Sequence, residues 1–272
     1  MAQWQSSDMA DETTMNSQSA VRSGPASDQI SEDFSRSRRV ILLLGGGVES
    51  TALLEQFIAR EFSITPVHLL SGLWWEAAES AFIREFVGGY SPPLVEPLLE
   101  FAVPLTEMLP QHWSITGQHV PRAGDPSARL ELPLRNLMLM GLALHQVRQR
   151  EQTLRPEYQL AIGTTADNSF ADGQRGYFDL CEQLLTREMG RPVRVLSPLL
   201  SLHKADVIRQ SSARTLRASF SCVDPQQGQH CGRCIKCGSR RAAFIEAGVA
   251  DPTFYVHPIR PAESARSSEM RS

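Results

Sequence analysis

The chain has 272 residues, enough for a sizeable core in one or two domains at roughly 150 residues each. Hydrophobic residues make up 42% and charged residues 21%, with 18 Gly, 17 Pro and 5 Cys, which excludes collagen-like and disulfide-scaffold classes. A net charge of -3 supplies no bulk basic field to draw the chain onto nucleic acid, so nucleic acid is not expected as a partner.

Residues 1–39 are rich in Ser, Asp, Gln and Thr without sustained periodicity and are predicted to be a disordered polar tail. They show no basic region followed by an apolar core, so no secretory signal is expected. Val40–Leu44 reads as a strand, and the next segment, Ser50–Glu61, sets Leu53, Leu54, Phe57 and Ile58 on one helical stripe. Ser63–Leu70 is a second strand, Trp75–Phe86 a helix and Leu98–Val103 a third strand. Leu134–Val147 is apolar nearly all round and predicts a buried helix with Arg135 and Asn136 at its amino end. Tyr158–Gly163 and Val193–Leu196 are further strands with a helix from Gly176 to Glu188 between them, and residues 258–272 form a second polar tail. The longest apolar run, Leu137–Leu144, falls far short of the ~18 to 20 residues that cross a bilayer, so no membrane partner is expected. A cytoplasmic, thiol-reducing location follows as the expectation, with cysteines as free thiols or metal ligands.

Strand and helix in repeated alternation predict an α/β fold, a doubly wound parallel sheet covered on both faces. A nucleotide-binding domain over 40–215 and a small four-cysteine zinc lobe over 216–257 are the expected units. Such sheets bind ligands where strand order reverses, which directs attention to the loops after the first and fourth strands. The first of these, Leu44-Gly45-Gly46-Gly47-Val48-Glu49-Ser50-Thr51, joins a strand to a helix, where backbone N–H groups and the positive helix end hold phosphates. A tight turn is the plainer reading of the three glycines. No lysine makes this a P-loop, and Ser50 stands where a dinucleotide fingerprint wants glycine. Cys222, Cys231, Cys234 and Cys237 fall within sixteen residues, the pattern of a closed structural zinc site. His230, beside them, is expected to be an exposed loop residue, and Cys181 a buried small apolar one.

The glycine segment resembles the pyrophosphate loop of the ATP pyrophosphatase superfamily, Ser-Gly-Gly-x-Asp-Ser. Here Gly45 replaces the leading serine and Glu49 the aspartate, while Gly46, Gly47 and Ser50 match. The cysteine segment, from Ser219-Phe220-Ser221-Cys222 through Cys231-Gly232-Arg233-Cys234-Ile235-Lys236-Cys237 to Ala250-Asp251-Pro252-Thr253, resembles the carboxyl end of 7-cyano-7-deazaguanine synthases. Leu132-Pro133-Leu134-Arg135-Asn136-Leu137 and Leu202-His203-Lys204-Ala205-Asp206-Val207 are similar to further motifs of that family.

The resemblance covers roughly residues 40–255 and implies an adenine nucleotide alpha-hydrolase-like fold, a requirement for ATP, Mg2+ and Zn2+, and a homodimer. It implies conversion of 7-carboxy-7-deazaguanine, a small deazapurine, and ammonia to the nitrile through adenylated intermediates in queuosine biosynthesis. By the matched positions, Leu44, Gly45, Gly46, Gly47, Val48, Glu49, Ser50 and Thr51 would cradle ATP phosphates. Arg135 and Lys204 would meet phosphate or the substrate carboxylate, and Asp172, with Asp167 as competitor, would bind the base. The chain departs from the family after the second strand, where Gly72-Leu73-Trp74-Trp75 replaces Gly-Gln-x-His, with Glu76 and Glu79 following. Those tryptophans either stack on a purine or pack the helix on the sheet. The departures keep two other classes open: an adenylating enzyme acting on another carboxylate, a protein or tRNA, and a catalytically degenerate ATP- and zinc-binding module.

Overall fold

The computed structural model describes residues 38–103 and 105–257, so the two expected polar tails lie outside the described residues apart from Arg38 and Arg39. Arg39 opens the first strand. Five strands, β1 (Arg39–Leu43), β2 (Ser63–Leu70), β3 (Leu99–Ala102), β4 (Tyr158–Ala161) and β5 (Val193–Leu196), form one sheet in the order β3-β2-β1-β4-β5. Every pairing is parallel, with Ile41 opposite both Thr65 and Leu160. The helices are α1 (Val48–Ala59), α2 (Glu76–Gly88), α3 (Trp113–Thr116), α4 (Arg135–Arg150), α5 (Arg175–Met189), α6 (Lys204–Gln210), α7 (Ala213–Ala218) and α8 (Ile235–Ala247).

A central parallel strand is buried on both faces and reads as an unbroken apolar run, and β1 shows why. Val40, Leu42 and Leu44 pack with Leu53, Leu54 and Phe57 of α1, Ile83 and Phe86 of α2, and Val207 of α6. Ile41 and Leu43 turn to the other face, against Met140, Ala143 and Leu144 of α4 and Phe178, Cys181 and Leu185 of α5. This is the expected doubly wound sheet. The chain steps outward from β1 through β2 to β3, then crosses back to lay β4 on the free side of β1. The loops leaving β1 and β4 therefore diverge, opening a crevice at the carboxyl ends of the strands.

Helix α4 corrects one expectation. It buries Met140, Ala143, Leu144 and Val147 on a single stripe, while Leu137, Leu139 and Leu142 are only half-buried. Leu134, expected within the helix, precedes it in a left-handed conformation (φ 64°) with its side chain 65% exposed.

The carboxyl-terminal segment is built onto the sheet domain. Phe220, Cys222, Val223, Cys231, Cys234 and Cys237 share one cluster with Leu73, Trp75, Ala78 and Val120, and Phe244 of α8 packs with Val48, Ile208 and Leu216. Arg240 is fully buried, donating to Leu216 O at 2.9 Å, Ser219 Oγ at 2.8 Å and Thr253 Oγ1 at 2.7 Å. It ties α8 to α7 and to the segment after α8.

Phe57 is fully buried where α1 meets the sheet. Phe57→Ala is expected to lower the unfolding free energy by about 3 to 5 kcal/mol, read as a lowered urea midpoint with unchanged slope.

Candidate active site

The glycine loop bends because Gly46 takes a left-handed conformation (φ +67°), and its carbonyl accepts from Phe220 N at 2.7 Å. Opposite it, the exit of β4 grazes the start of α1. A Cβ on Gly163 would lie 2.9 Å from Ser50 N and 3.0 Å from the Glu49 carbonyl carbon, so only glycine allows this approach. Between the two loops lies a cleft of about 450 Å³. Leu44, Gly45, Gly47, Glu49, Ser50, Arg135, Asp172 and Lys204 all line it. Val48 is instead buried against Ile208 and Phe244, and the Thr51 hydroxyl turns back to Gly47 O at 3.0 Å. Ser50 Oγ likewise donates to Gly47 O at 3.1 Å.

An ion pair dominates the electrostatics. Lys204 Nζ, brought in by the first turn of α6, lies 2.8 Å from Glu49 Oε1, with the two side chains 13% and 18% exposed. Burial alone would raise the Glu49 carboxyl, but Lys204 and then Lys236 outweigh it and hold the acid at about 2. Lys236 enters from the first turn of α8, between Cys234 and Cys237, and lines the same cleft. Burial, with Lys204 and Arg135 nearby, depresses its pKa. Arg135 has no ion-pair partner within 4 Å among the described residues. The opposite behaviour is seen at Glu79 of α2, which burial pushes up to about 7 despite Arg135, with Glu76 adding to the rise. Lys236 and Glu79 are site residues that motif matching missed. The lysine is hidden inside a metal-ligand spacing, and the glutamate follows the segment that departs from the family pattern.

Of the two aspartates weighed for base binding, Asp167 is committed elsewhere. Its Oδ1 lies 2.7 Å from His203 Nδ1 and its Oδ2 accepts from Lys204 N at 2.6 Å, fixing the start of α6. Asp172 lines the cleft, and its carbonyl accepts from Asn136 Nδ2 at 3.0 Å, tying the loop after β4 to the start of α4. Trp75 stacks on Trp113 with centroids 5.6 Å apart, and both line the cleft. Trp74 is 48% exposed and lies against Gly117. His68 is buried between Leu44 O at 2.9 Å and Ser80 Oγ at 2.8 Å, and burial lowers its pKa.

The four expected cysteine ligands converge, with all Sγ atoms within 4.8 Å of one another and all four side chains buried. Two of the Sγ separations are 3.8 Å and 4.0 Å. A tetrahedron with metal–sulfur bonds of ~2.3 Å has edges of ~3.8 Å, so the donor set fits one ion. Backbone N–H groups of Asp224 and Cys231 donate to Cys222 Sγ, and those of Arg233 and Cys234 to Cys231 Sγ, the arrangement that stabilises thiolates. His230 overturns its expectation of exposure. It is 3% exposed, accepts from Ser221 N at 3.1 Å, and packs against Phe82, Phe220 and Tyr255. Burial holds its imidazole neutral, with a pKa of about 3.

A family model described as queuosine biosynthesis protein QueC matches residues 39–248. The chain belongs to that family. The 7-cyano-7-deazaguanine synthase of Anaeromyxobacter dehalogenans (strain 2CP-C) is 30% identical over 242 residues, covering 81% of this chain and 97% of that one. That of Anaeromyxobacter sp. (strain Fw109-5) is 36% identical over 134 residues, 46% of this chain and about half (55%) of that relative's length. Among solved structures, the U34-tRNA thiolase NcsA from Methanococcus maripaludis with its [4Fe-4S] cluster is 12% identical, with a TM-score of 0.45 over 81% of this chain and 69% of that one. The QueC membership bears out the resemblance carried by the cysteine segment and the glycine loop. No helix among the described residues is long and apolar enough to cross a membrane.

The Glu49–Lys204 pair has a pH signature. The folded-state pKa of about 2 lies below the ordinary 4.5, so the unfolded chain takes up the proton first as pH falls. The stabilisation is present above about 4.5 and is lost toward 2. Urea midpoints of the wild type are expected to fall more steeply across that interval than those of Glu49→Gln; parallel profiles would contradict the assignment.

Proposed function

We propose that the chain is an ATP-dependent carbon–nitrogen ligase that converts 7-carboxy-7-deazaguanine and ammonia to 7-cyano-7-deazaguanine through adenylated intermediates. One observation carries this reading. At the crevice between β1 and β4, a glycine loop at a helix amino end converges with Lys204, Lys236 and Arg135, a cation-rich setting that calls for a polyanion. QueC family membership and the names of the curated relatives support the substrate.

A carboxylate is a poor electrophile until its oxygen bonds to the α-phosphorus of ATP and pyrophosphate departs. In this reading the backbone N–H groups of the Gly45–Gly47 loop, with the hydroxyls of Ser50 and Thr51 released from Gly47 O, hold the departing pyrophosphate. Leu44 and Val48 contribute backbone and anchor the loop through their buried side chains. Lys204, Lys236 and Arg135 offset the charge that develops on the phosphoryl oxygens. Asp172, fixed near the start of α4 by the Asn136 contact, accepts from the N–H groups of the deazaguanine base. Ammonia then displaces AMP to give the amide, whose oxygen is activated by a second ATP before loss of AMP leaves the nitrile.

Glu49, ionised and with Oε2 facing Gly47, is the carboxylate that would help hold Mg2+, which neutralises phosphate charge when bound. Cys222, Cys231, Cys234 and Cys237 would hold Zn2+ with a closed coordination sphere, a structural role.

Purified protein given 7-carboxy-7-deazaguanine, ammonia and Mg-ATP is expected to yield AMP, pyrophosphate and the nitrile, followed by chromatography of the deazapurine. Gly47→Asp, which sets a fixed negative charge in the loop, is expected to abolish AMP formation, and Ser50→Ala to lower it by about 10-fold or more, in line with the loss of a hydrogen bond to a charged group. Nitrile formation undiminished in Gly47→Asp would exclude the loop as the pyrophosphate site.

A further inference from the structure

The proposed reaction sheds protons that need an acceptor within the cleft. When ammonia attacks the acyl adenylate, the nitrogen becomes cationic and must lose a proton before AMP leaves cleanly. Five carboxylates line the cleft: Glu49, Glu79, Glu131, Asp167 and Asp172, of which Glu131 is exposed to solvent. Glu49 is locked to Lys204, and Asp167 is consumed by His203 Nδ1 and Lys204 N. Asp172 lies on the far loop after β4, at the position assigned to the base. Glu79 has no ion pair within 4 Å among the described residues, and it is the one that stands over the phosphate loop. A Cβ on Gly46 would lie 3.1 Å from Glu79 Cγ, so the side chain is pressed against the turn of the loop itself.

The surroundings of Glu79 suit ammonium and the ammonia formed when it gives up a proton. Trp75 lends its carboxylate a hydrogen bond, and Trp75 with its stacked partner Trp113 walls the same part of the cleft beside Leu73. Aromatic faces attract ammonium and exclude the water that would hydrolyse an acyl adenylate. Glu76, one turn earlier on α2, is turned away from this task, since its carboxylate accepts from Ser71 N and Gly72 N. The charged groups acting on Glu79 are Glu76 from its own helix, Arg135 from α4 and Lys236 from α8.

We propose that Glu79, in a subsite walled by Trp75 and Trp113, receives ammonia and acts as the general base that deprotonates the attacking nitrogen. As the N–C bond forms, an N–H bond breaks and its proton passes to Glu79 Oε. The C–O bond to AMP then breaks with its electron pair leaving on the phosphate oxygen, and the proton passes to solvent. The amide sheds two N–H protons, one as its oxygen is adenylated and one as the second AMP leaves and the C≡N bond forms, and the same carboxylate takes each in turn and returns it to solvent. A carboxyl that burial holds at about 7 is half-ionised at neutral pH, the condition under which a general base is most effective.

This inference rests on the proposed ligase reading, and two half-reactions separate the fates of the two. ATP–pyrophosphate exchange dependent on 7-carboxy-7-deazaguanine, run without ammonia, reports adenylation alone, whereas amide and nitrile formation against ammonium chloride reports amination. Glu79→Gln is expected to keep exchange within about threefold of the wild type and to lose amination by on the order of 100-fold. The ratio of wild-type to variant amination rates is expected to rise with pH through about 7 and then level. Amination in Glu79→Gln within threefold of wild type, or equal loss of exchange and amination, would overturn the role of Glu79 while leaving the ligase reading intact. Absence of exchange in the wild type would overturn the ligase reading and this inference with it.

Discussion

Gly46 offers its carbonyl to Phe220 N at 2.7 Å, and through this one hydrogen bond the carboxyl-terminal segment supports the loop that opens α1. Gly46 has left the sheet ladder and precedes the helix, whose first turn bonds Gly47 O instead, so the Gly46 carbonyl depends on Phe220. Phe220 precedes Cys222 by two residues, and its own position depends on packing against Phe82 and His230. Beyond it the four-thiol cluster closes the segment, and Arg240 bonds it from within. Metal binding at such a cluster contributes directly to folding free energy. A site that looks peripheral to the cleft thus sets the shape of its floor, and the same segment delivers Lys236 into the cleft between two metal ligands.

The cleft differentiates its acids by environment. Glu49 and Glu79 are both drawn into the cleft, yet one is held at about 2 by its lysines and the other is pushed to about 7 by burial. Pairs of like groups driven apart in this way divide fixed charge from movable proton. Glu49 supplies permanent negative charge to balance Lys204, and Glu79 is free to change state. The cations have no such division: Lys204, Lys236 and Arg135 crowd together, and an anionic ligand would relieve their repulsion.

How far this was legible from sequence depended on how local each signal was. Ser63–Leu70 and Val193–Leu196 are predicted to the residue, because each gathers apolar residues, Ile64, Val67, Leu69 and Leu70 in one and Val193, Val195 and Leu196 in the other, and ends at a turn-forming pair, Ser71-Gly72 or Ser197-Pro198. The glycine loop and the cysteine cluster are legible for the same reason, being contiguous patterns. Helix α4 misleads because a run of Leu and Met is apolar whichever face is covered, and only packing reveals that Met140, Ala143, Leu144 and Val147 form the buried stripe. His230 misleads because its burial depends on Phe82 and Tyr255, far away in sequence. Glu79 has no motif around it, and its importance arises from the turn of Gly46 and from Trp75 and Trp113, which the fold alone brings together.

In this account the four-thiol cluster holds the glycine loop in its working shape through Phe220. Amide hydrogen exchange followed by mass spectrometry on the metal-loaded protein, before and after a chelator strips the ion, reads this coupling. Peptides spanning Gly45–Leu54 and Ser219–Cys222 are predicted to lose protection together when the metal leaves, while β5 and α5 keep theirs. Unchanged protection of Gly45–Leu54 in metal-free protein, with Ser219–Cys222 fully exchanged, would contradict it.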